Sequence, residues 1–395
     1  MKRSLQPPSL LGDLSSAEFM RRYWHRQPLV IRQAIPGFTP LLDRAALLAL
    51  AARDDVESRL VRQIRQRWTL SSGPFEAADL PSARTRQWTL LLQGVNLHHD
   101  GARALLDQFR FVPDARLDDL MISYATDGGG VGPHFDSYDV FLLQAHGTRR
   151  WRISAQQDQT LIDGLPLKIL KNFKAEQEWD LIPGDMLYLP PGYAHDGVAL
   201  GECMTYSIGF RAPTNREILQ NFLYFLAENS DELPLGQAFE GRYADPRQPS
   251  VAHPARLPNQ MIDRIAAQLA KVRWRRQDIV RFLGQWLSEP KPQVYFTPPE
   301  SPMTRGAFLR RARAQGVALA RQSQCLYEAG YSFFNGEIQS LPSAAQKWFR
   351  RLADARRLSQ ADCAELPAPP APDWDILYEW YRAGWIELTP PGASR

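Results

Sequence analysis

A glycine-rich segment, residues 128–136, places the strongest constraint on what this chain can fold into. It reads Gly-Gly-Gly-Val-Gly-Pro-His-Phe-Asp, so one residue separates His134 from Asp136. In an extended strand, residues two apart point to the same face and lie roughly 6.6 Å apart along the strand. An imidazole and a carboxylate on one face can bind a single transition metal. The segment therefore predicts part of a metal site.

The third ligand of such a site must come from another part of the chain, and His195 is the best candidate. It ends the segment 182–195, for which we predict a turn, a short strand and a proline-bounded loop. Two histidines and one carboxylate form the facial triad of non-haem Fe(II) oxygenases, which leaves open positions for a cosubstrate and for oxygen. A similar segment, 98–100, lacks the glycine loop, and we interpret Asp100 as a helix N-cap.

The composition describes an ordinary globular chain. Its 395 residues, 44% hydrophobic and 23% charged, are enough for two or three domains. No run of about 18 apolar residues is present, so no membrane span is predicted. The amino-terminal residues lack the apolar core of a signal peptide. The formal net charge of +4 is small for a dedicated nucleic-acid binder, and no direct nucleic-acid binding is expected.

The cysteines indicate the redox environment. The chain has three of them, Cys203, Cys325 and Cys363, and their spacing is not paired. This usage favours a reducing cytoplasm and argues against a cysteine metal site.

Residues 117–212 are predicted to be mainly β. Turn residues separate the candidate strands at short intervals, which favours an antiparallel sandwich or barrel with the metal ligands in its mouth. The candidate strands are Leu120–Ala125, Tyr138–Gln144, Arg149–Ile153, Met186–Leu189 and Cys203–Phe210.

From Pro213 onwards the pattern becomes helical. Thr214 and Glu217 form a capping box, and a broad apolar stripe follows on the predicted helix. The stripe consists of Ile218, Leu219, Phe222, Leu223, Phe225 and Leu226. It is too wide for an exposed helix, so we expect it to pack on another surface, such as a second copy of the chain.

The last hundred residues combine helices with a small hairpin. The Asn335-Gly336 dipeptide is a typical hairpin turn between strand-like segments. Helices surround this hairpin, and Trp385–Leu388 is a predicted final strand. This pattern indicates a winged-helix-like module, whose core we expect to contain the aromatic residues Phe333, Phe334, Trp374, Trp380 and Trp385.

Between about residues 118 and 212 the chain resembles a JmjC domain, a branch of the cupin-like double-stranded β-helix oxygenases. It is most similar to the bacterial ribosomal oxygenases, which are arginine hydroxylases. The similar blocks are residues 118–124, 128–136, 138–141, 149–152, 183–192 and 206–213. The resemblance implies an α+β fold. It would comprise a jelly-roll oxygenase domain over 1–212 with its core at 95–212, a helical dimerisation domain over 213–292 and a winged-helix-like domain over 293–395.

The resemblance also implies Fe(II) and the cosubstrate 2-oxoglutarate. The family's basic residue falls on Arg149, fifteen positions after His134. In a strand, Arg149 would share the inner face with Trp151 and Ile153, and an arginine suits bidentate binding of a carboxylate. Ser123 aligns with a family hydroxyl that helps to hold the same carboxylate; the alternative is a strand serine bonded to backbone.

The family points to a cytoplasmic, homodimeric enzyme that uses O₂ and 2-oxoglutarate to hydroxylate a ribosomal protein. The implied target is an arginine of large-subunit ribosomal protein sixteen. One alternative keeps the oxygenase class and changes the reaction to histidine hydroxylation or demethylation. Another is a cupin binding module without enzyme activity. Tyr138, Asp139 and Asp196 flank the ligands. Some of them could receive a cationic substrate side chain, or they could support the site by hydrogen bonds.

Overall fold

The structure is a computed structural model that describes residues 10–65, 67–231, 241–328, 330–368 and 371–389. The chain divides into two compact units, Met1–Ala212 and Pro213–Arg395. Within the described ranges, no helix is long and apolar enough to span a bilayer. The predicted further division at residue 292 stays a prediction.

The amino-terminal unit is built mainly of strands. Its α-helices are α1 (Ser16–Arg22), α2 (Arg44–Ala51) and α3 (Asp100–Asp107), and a 3₁₀ helix spans Val95–Leu97. Its strands are β1 (Leu29–Ile31), β2 (Ser58–Ile64), β3 (Arg67–Ser72), β4 (Trp88–Leu92), β5 (Leu117–Ala125), β6 (His134–Phe135), β7 (Val140–Ser154), β8 (Gln177–Leu181), β9 (Met186–Leu189) and β10 (Ala194–Phe210).

All ten strands join one sheet, and its strand pairs are antiparallel, as predicted for residues 117–212. The order is β1-β9-β7-β10-β5-β4-β2-β3, with β6 paired to β10 and β8 paired to β7. Two predicted strands, 138–144 and 149–153, form the single long strand β7, because both halves pair with β10 across a register shift. His195 lies within β10 rather than at the end of a loop.

The buried side chains of the sheet form two hydrophobic clusters on its opposite faces. The larger cluster includes Phe141 and Tyr188 and packs against the helices. The smaller cluster contains Leu142, Trp151 and Ile153. Neighbouring strand residues point to opposite faces, so Phe141 and Leu142 belong to different clusters. Arg149 lies two residues before Trp151 on the face of the smaller cluster, as predicted.

The start of α3 corrects one prediction. The helix begins at Asp100, and its N-cap is His99, whose Nδ1 accepts a hydrogen bond from the Ala102 amide. Asp100 is the first helical residue, where a negative charge favours the helix dipole.

The carboxyl-terminal unit contains seven described α-helices and two small sheets. The helices are α4 (Asn215–Glu228), α5 (Asn259–Leu269), α6 (Arg276–Ser288), α7 (Arg305–Gln315), α8 (Ala345–Ala355), α9 (Gln360–Glu365) and α10 (Pro372–Arg382). The strands are β11 (Val317–Leu319), β12 (Cys325–Glu328), β13 (Tyr331–Phe334), β14 (Glu337–Ile338), β15 (Arg357–Leu358) and β16 (Ile386–Leu388). One sheet has the order β15-β11-β16 and the other β12-β13-β14.

Two local predictions for this unit are confirmed. Thr214 and Glu217 form the capping box of α4, with both reciprocal hydrogen bonds present. Asn335 and Gly336 both have positive φ, 51° and 86°, and connect β13 to β14. Positive φ at both central residues is the requirement of a tight hairpin turn.

The predicted core aromatics are buried. Phe334, Trp374 and Trp380 belong to the main cluster of this unit, and Trp385 packs against it. Phe333 is also buried, with its ring against the α6 backbone at Gly284. These rings stabilise the unit by burial.

Candidate metal centre

Strand pairing brings His134 and His195 together. The two-residue strand β6 pairs with the start of β10, so that His134 lies directly opposite His195. Their ring centroids are 4.2 Å apart. Asp136 follows two residues after His134, and its Oδ2 lies 3.7 Å from Nε2 of His195. One ligand atom from each of the three residues lies within 4.8 Å of the others. The three residues therefore form a compact potential metal site.

Backbone carbonyls orient both imidazoles. Nδ1 of His134 lies 2.9 Å from the Gly132 oxygen, and Nδ1 of His195 lies 3.0 Å from the Tyr193 oxygen. A carbonyl oxygen only accepts, so each Nδ1 carries the proton and each Nε2 keeps its lone pair for a metal. Burial, together with the neighbouring His134, lowers the pKa of His195 to about 4. The ring is therefore neutral at physiological pH, as a metal ligand must be.

The glycine loop holds His134 by a close approach of backbones. A Cβ on Gly129 would lie 2.5 Å from the Trp88 oxygen, and one on Gly130 would lie 2.6 Å from the Gly197 oxygen. The loop thus runs between the start of β4 and the first residues of β10, where a side chain would displace it. This is the physical reason for the glycines before the histidine.

A buried arginine lies on the same inner face as the metal cluster. Arg149 is 4% exposed, and its Nη2 donates to Ser123 Oγ over 3.1 Å. Its Nε has no hydrogen-bond partner, and no carboxylate among the described residues pairs with it. Trp151 lies between Arg149 and the metal cluster. Its ring is 5.8 Å from Arg149 Cζ and 5.9 Å from the His195 ring. A buried, unpaired cation is unfavourable, so this position fits a carboxylate ligand.

Arg150 differs from Arg149 because it lies on the opposite face of the strand. Its guanidinium pairs with Asp180 on the neighbouring strand β8, with Nε 2.8 Å from Oδ1, and it is half exposed. The strand alternation thus separates an inner from an outer arginine.

Sequence reasoning missed two polar residues beside Ser123. Thr205 on β10 lies opposite Ser123 on one side and Gln144 on the other. Its hydroxyl donates to Gln144 Oε1 over 2.8 Å, and both side chains are buried. Opposed residues in antiparallel strands have Cβ atoms about 4.5–5.5 Å apart, so Ser123 and Thr205 are neighbours. The available sequence signal was a polar residue within each apolar strand.

Burial argues against the hypothesised substrate role of Asp139 and favours the alternative of a supporting hydrogen bond. This residue is fully buried on the outer face, where the Tyr188 hydroxyl donates to it and His25 Nε2 lies 3.1 Å from its Oδ2. Asp196 instead forms an ion pair with Arg152. Tyr138 remains partly exposed, and burial, with help from Asp136, raises its pKa.

Comparison with known proteins identifies the family. Residues 104–218 match the JmjC domain, and residues 271–387 match the ROXA-like winged helix. The Escherichia coli K12 protein "Ribosomal protein uL16 3-hydroxylase" is 37% identical over 290 residues, which cover 73% of this chain and 75% of the relative. A "Probable ribosomal oxygenase" of Haemophilus influenzae is 33% identical over 224 residues, which cover 55% of each chain.

Solved structures of E. coli YcfD, a ribosomal oxygenase, have the same architecture. One X-ray structure has a TM-score of 0.81 and 31% identity, covering 95% of this chain and 98% of YcfD. A complex of YcfD with cobalt and 2-oxoglutarate has a TM-score of 0.77, 30% identity and the same coverage.

An antiparallel jelly roll with a two-histidine, one-carboxylate cluster defines the class of non-haem Fe(II) oxygenases. Within that class, the chain belongs to the JmjC-domain ribosomal oxygenases. The predicted fold class is confirmed, including the winged helix. The predicted enzyme class is confirmed. The YcfD complex and the three-residue cluster of this chain also confirm the cofactor pair of a divalent metal with 2-oxoglutarate as cosubstrate.

Proposed function

We propose that this chain is an Fe(II)- and 2-oxoglutarate-dependent hydroxylase of ribosomal protein uL16, the large-subunit protein sixteen, and that its target is an arginine. The substrate assignment is supported by the E. coli relative, whose name states the activity and of which three quarters is covered at 37% identity. The observation that carries the enzymatic part is the buried, unpaired Arg149 on the face of the three-residue cluster.

In this proposal, Nε2 of His134, Nε2 of His195 and the Asp136 carboxylate hold Fe(II). When bound, iron supplies the activation of dioxygen that hydroxylation requires. The protein contributes two neutral imidazoles, oriented through the Gly132 and Tyr193 carbonyls, and one negative charge. Three ligands on one side leave positions for the cosubstrate and for oxygen.

Arg149 and Ser123 would hold the distal carboxylate of 2-oxoglutarate. The guanidinium can donate two parallel hydrogen bonds to a carboxylate, and the unpartnered Nε supplies one such donor. The apolar inner cluster around Trp151 and Ile153 keeps water away from this interaction, which strengthens it.

The decisive experiment incubates the purified chain with uL16, Fe(II), 2-oxoglutarate and air, and measures the substrate by peptide mass spectrometry. We expect the mass of one added oxygen on an arginine, and none with His195→Ala or without 2-oxoglutarate. Oxygen on a histidine, or loss of a methyl group, would support the other oxygenase reactions. Absence of any 2-oxoglutarate turnover would contradict the enzymatic proposal and favour a binding module.

We further propose a cytoplasmic homodimer, with residues 213–292 as the dimerisation domain and 293–395 as the winged-helix-like domain. A substrate on the ribosome supports the location. The dimer is supported by the apolar side chains that α4 exposes: Leu219 is 56% exposed and Leu223 is 53% exposed. On α5, Leu269 is 60% exposed. Contiguous apolar side chains of this kind are typical of protein interfaces.

A further inference from the structure

The last glycine before His134 is enclosed by two side chains to which the proposed reaction gives no role. A Cβ on Gly132 would lie 2.9 Å from Ile169 Cδ1, 3.1 Å from Ile169 Cγ1 and 3.3 Å from Trp68 Cζ2. Trp68 belongs to β3, and Ile169 belongs to residues 155–176, which we call the β7–β8 connection. Two distant parts of the chain therefore pack against Gly132.

Gly132 matters because its carbonyl orients a metal ligand. Its oxygen accepts the hydrogen bond from His134 Nδ1 over 2.9 Å. The position of this oxygen decides in which direction the imidazole points its Nε2. Gly132 has a φ of 79°, and the backbone of a glycine is intrinsically free to change its conformation. Contacts from neighbouring residues must therefore hold the carbonyl in place.

The β7–β8 connection also holds the next peptide group along the chain. The Leu170 N–H donates to the Pro133 oxygen over 2.7 Å. Ile169 and Leu170 are 3% and 2% exposed, whereas Ile162 in the same connection is 39% exposed. Two successive residues thus fix two successive peptide groups before the ligand, one by apolar packing and the other by a hydrogen bond.

Hydrogen bonds within the β7–β8 connection make it a firm support. Leu161 and Leu170 form an antiparallel bridge, and the Ile162 N–H donates to the Ile169 oxygen over 2.9 Å. The backbone of Ile169 and Leu170 is therefore tied to the opposite side of the connection. Packing by Ile169 can then restrain Gly132 instead of following its movements.

An aspartate joins the two ends of the connection. Asp158 Oδ1 accepts from the Thr160 N–H over 3.0 Å, and Asp158 Oδ2 accepts from Asn172 Nδ2 over 2.9 Å. The bonds from Thr160 and Asn172 lower the pKa of Asp158 to about 2. These bonds link the residues before Leu161 to those after Leu170.

We propose that Ile169, together with Trp68 and the Leu170 N–H, positions His134 for metal binding. Ile169 is a positioning residue, because it acts on the ligand through the Gly132 carbonyl. Within the described residues, neither Ile169 nor Trp68 belongs to the two hydrophobic clusters of the sheet, so a role in the core does not explain them. This inference rests on the proposed metal site and extends it beyond the three ligands.

Titration of the metal-free chain with Co(II) tests the proposal, since visible absorption reports both the affinity and the ligand geometry. Ile169→Ala removes the carbons that touch Gly132. It weakens Co(II) binding about tenfold and changes the absorption spectrum of the bound ion. Ile169→Val keeps one of these carbons and retains most of the affinity. An Ile169→Ala variant with the parent affinity and spectrum would overturn the proposal.

Leu170→Ala is the matched control. It removes a side chain that is buried to the same extent in the same connection, but it keeps the N–H that binds Pro133. Urea denaturation of the metal-free variants compares their stabilities. We expect Leu170→Ala to keep the parent affinity and spectrum even where its stability falls. Equal losses of affinity in Leu170→Ala and Ile169→Ala would show that Ile169 has only a structural role.

A double variant tests whether the two side chains act through the same glycine. Trp68→Leu alone also weakens Co(II) binding. Because Trp68 and Ile169 contact the same atom group, Trp68→Leu with Ile169→Ala loses less affinity than the product of the two single losses. Losses that multiply fully would contradict a shared action through Gly132.

His134→Ala separates this inference from the metal site itself. The parent chain binds Co(II), and this variant binds it far more weakly because a ligand is missing. A parent chain without Co(II) binding would overturn the metal site and the positioning role together. Binding by the parent that is lost in His134→Ala but unchanged in Ile169→Ala would overturn the positioning role alone.

Discussion

Arg149 donates a hydrogen bond to the hydroxyl of Ser123 over 3.1 Å, although β10 separates the strands that carry them. The bond therefore crosses the inner face of the jelly roll instead of joining adjacent strands. Both side chains are 4% exposed. This contact fixes the guanidinium while leaving its Nε without a partner.

Replacing Arg149 should weaken the binding of 2-oxoglutarate selectively. A charge-assisted hydrogen bond contributes about 1.5–3 kcal/mol, so Arg149→Met should weaken affinity by roughly 10- to 100-fold. Ser123→Ala, which removes one neutral hydrogen bond, should weaken it about fivefold. Titration calorimetry of 2-oxoglutarate into each variant, loaded with a redox-inert divalent metal, measures both changes in affinity. Arg150→Met is the control, because this neighbouring side chain points outwards to Asp180. Unchanged affinity in Arg149→Met would refute the role of Arg149.

Adding one methyl group to the glycine loop should disturb the metal cluster. In Gly130→Ala, the new Cβ would lie 2.6 Å from the Gly197 oxygen, so the loop and His134 must shift. A displacement of about 1 Å at a reacting centre can lower turnover about a hundredfold. We expect lower metal content by elemental analysis and lower 2-oxoglutarate turnover. Gly209→Ala is the control, since its nearest atom would be 3.6 Å away. Equal losses in both variants would contradict this reasoning.

Asp139 should contribute to stability and not to substrate binding. Its carboxylate accepts from Tyr188 and lies close to His25 and Arg116. Asp139→Asn keeps the shape and removes the charge, which should reduce the free energy of unfolding by about 1–3 kcal/mol. Urea denaturation measures this change. The KM for the protein substrate should stay the same, and an increase would restore the substrate role that burial argues against.

An exposed leucine on α4 offers a test of the proposed dimer. Leu223→Lys places a charge in the apolar face and should shift sedimentation from a dimer to a monomer at micromolar concentration. Ile182→Lys is the matched control, because Ile182 is 50% exposed but lies outside the proposed dimerisation domain, residues 213–292. A monomeric parent chain, or a variant that stays dimeric, would argue against this interface.

The features that the sequence alone determined are local ones. Strand alternation placed Arg149 on the inner face and Arg150 on the outer one, because side chains alternate with a period of two. The Thr214–Glu217 capping box and the Asn335-Gly336 turn depend only on residues a few positions apart. The spacing of His134 and Asp136 belongs to the same group, since one short segment brings both side chains to one site.

Only the tertiary structure decided which distant residues meet. It paired β6 with β10 and so placed His195 beside His134; the sequence had identified His195 as a candidate without the pairing. It also turned Asp139 away from the site towards His25 and Tyr188. These contacts arise from packing between strands and helices far apart in the chain, for which periodicity and spacing carry no information.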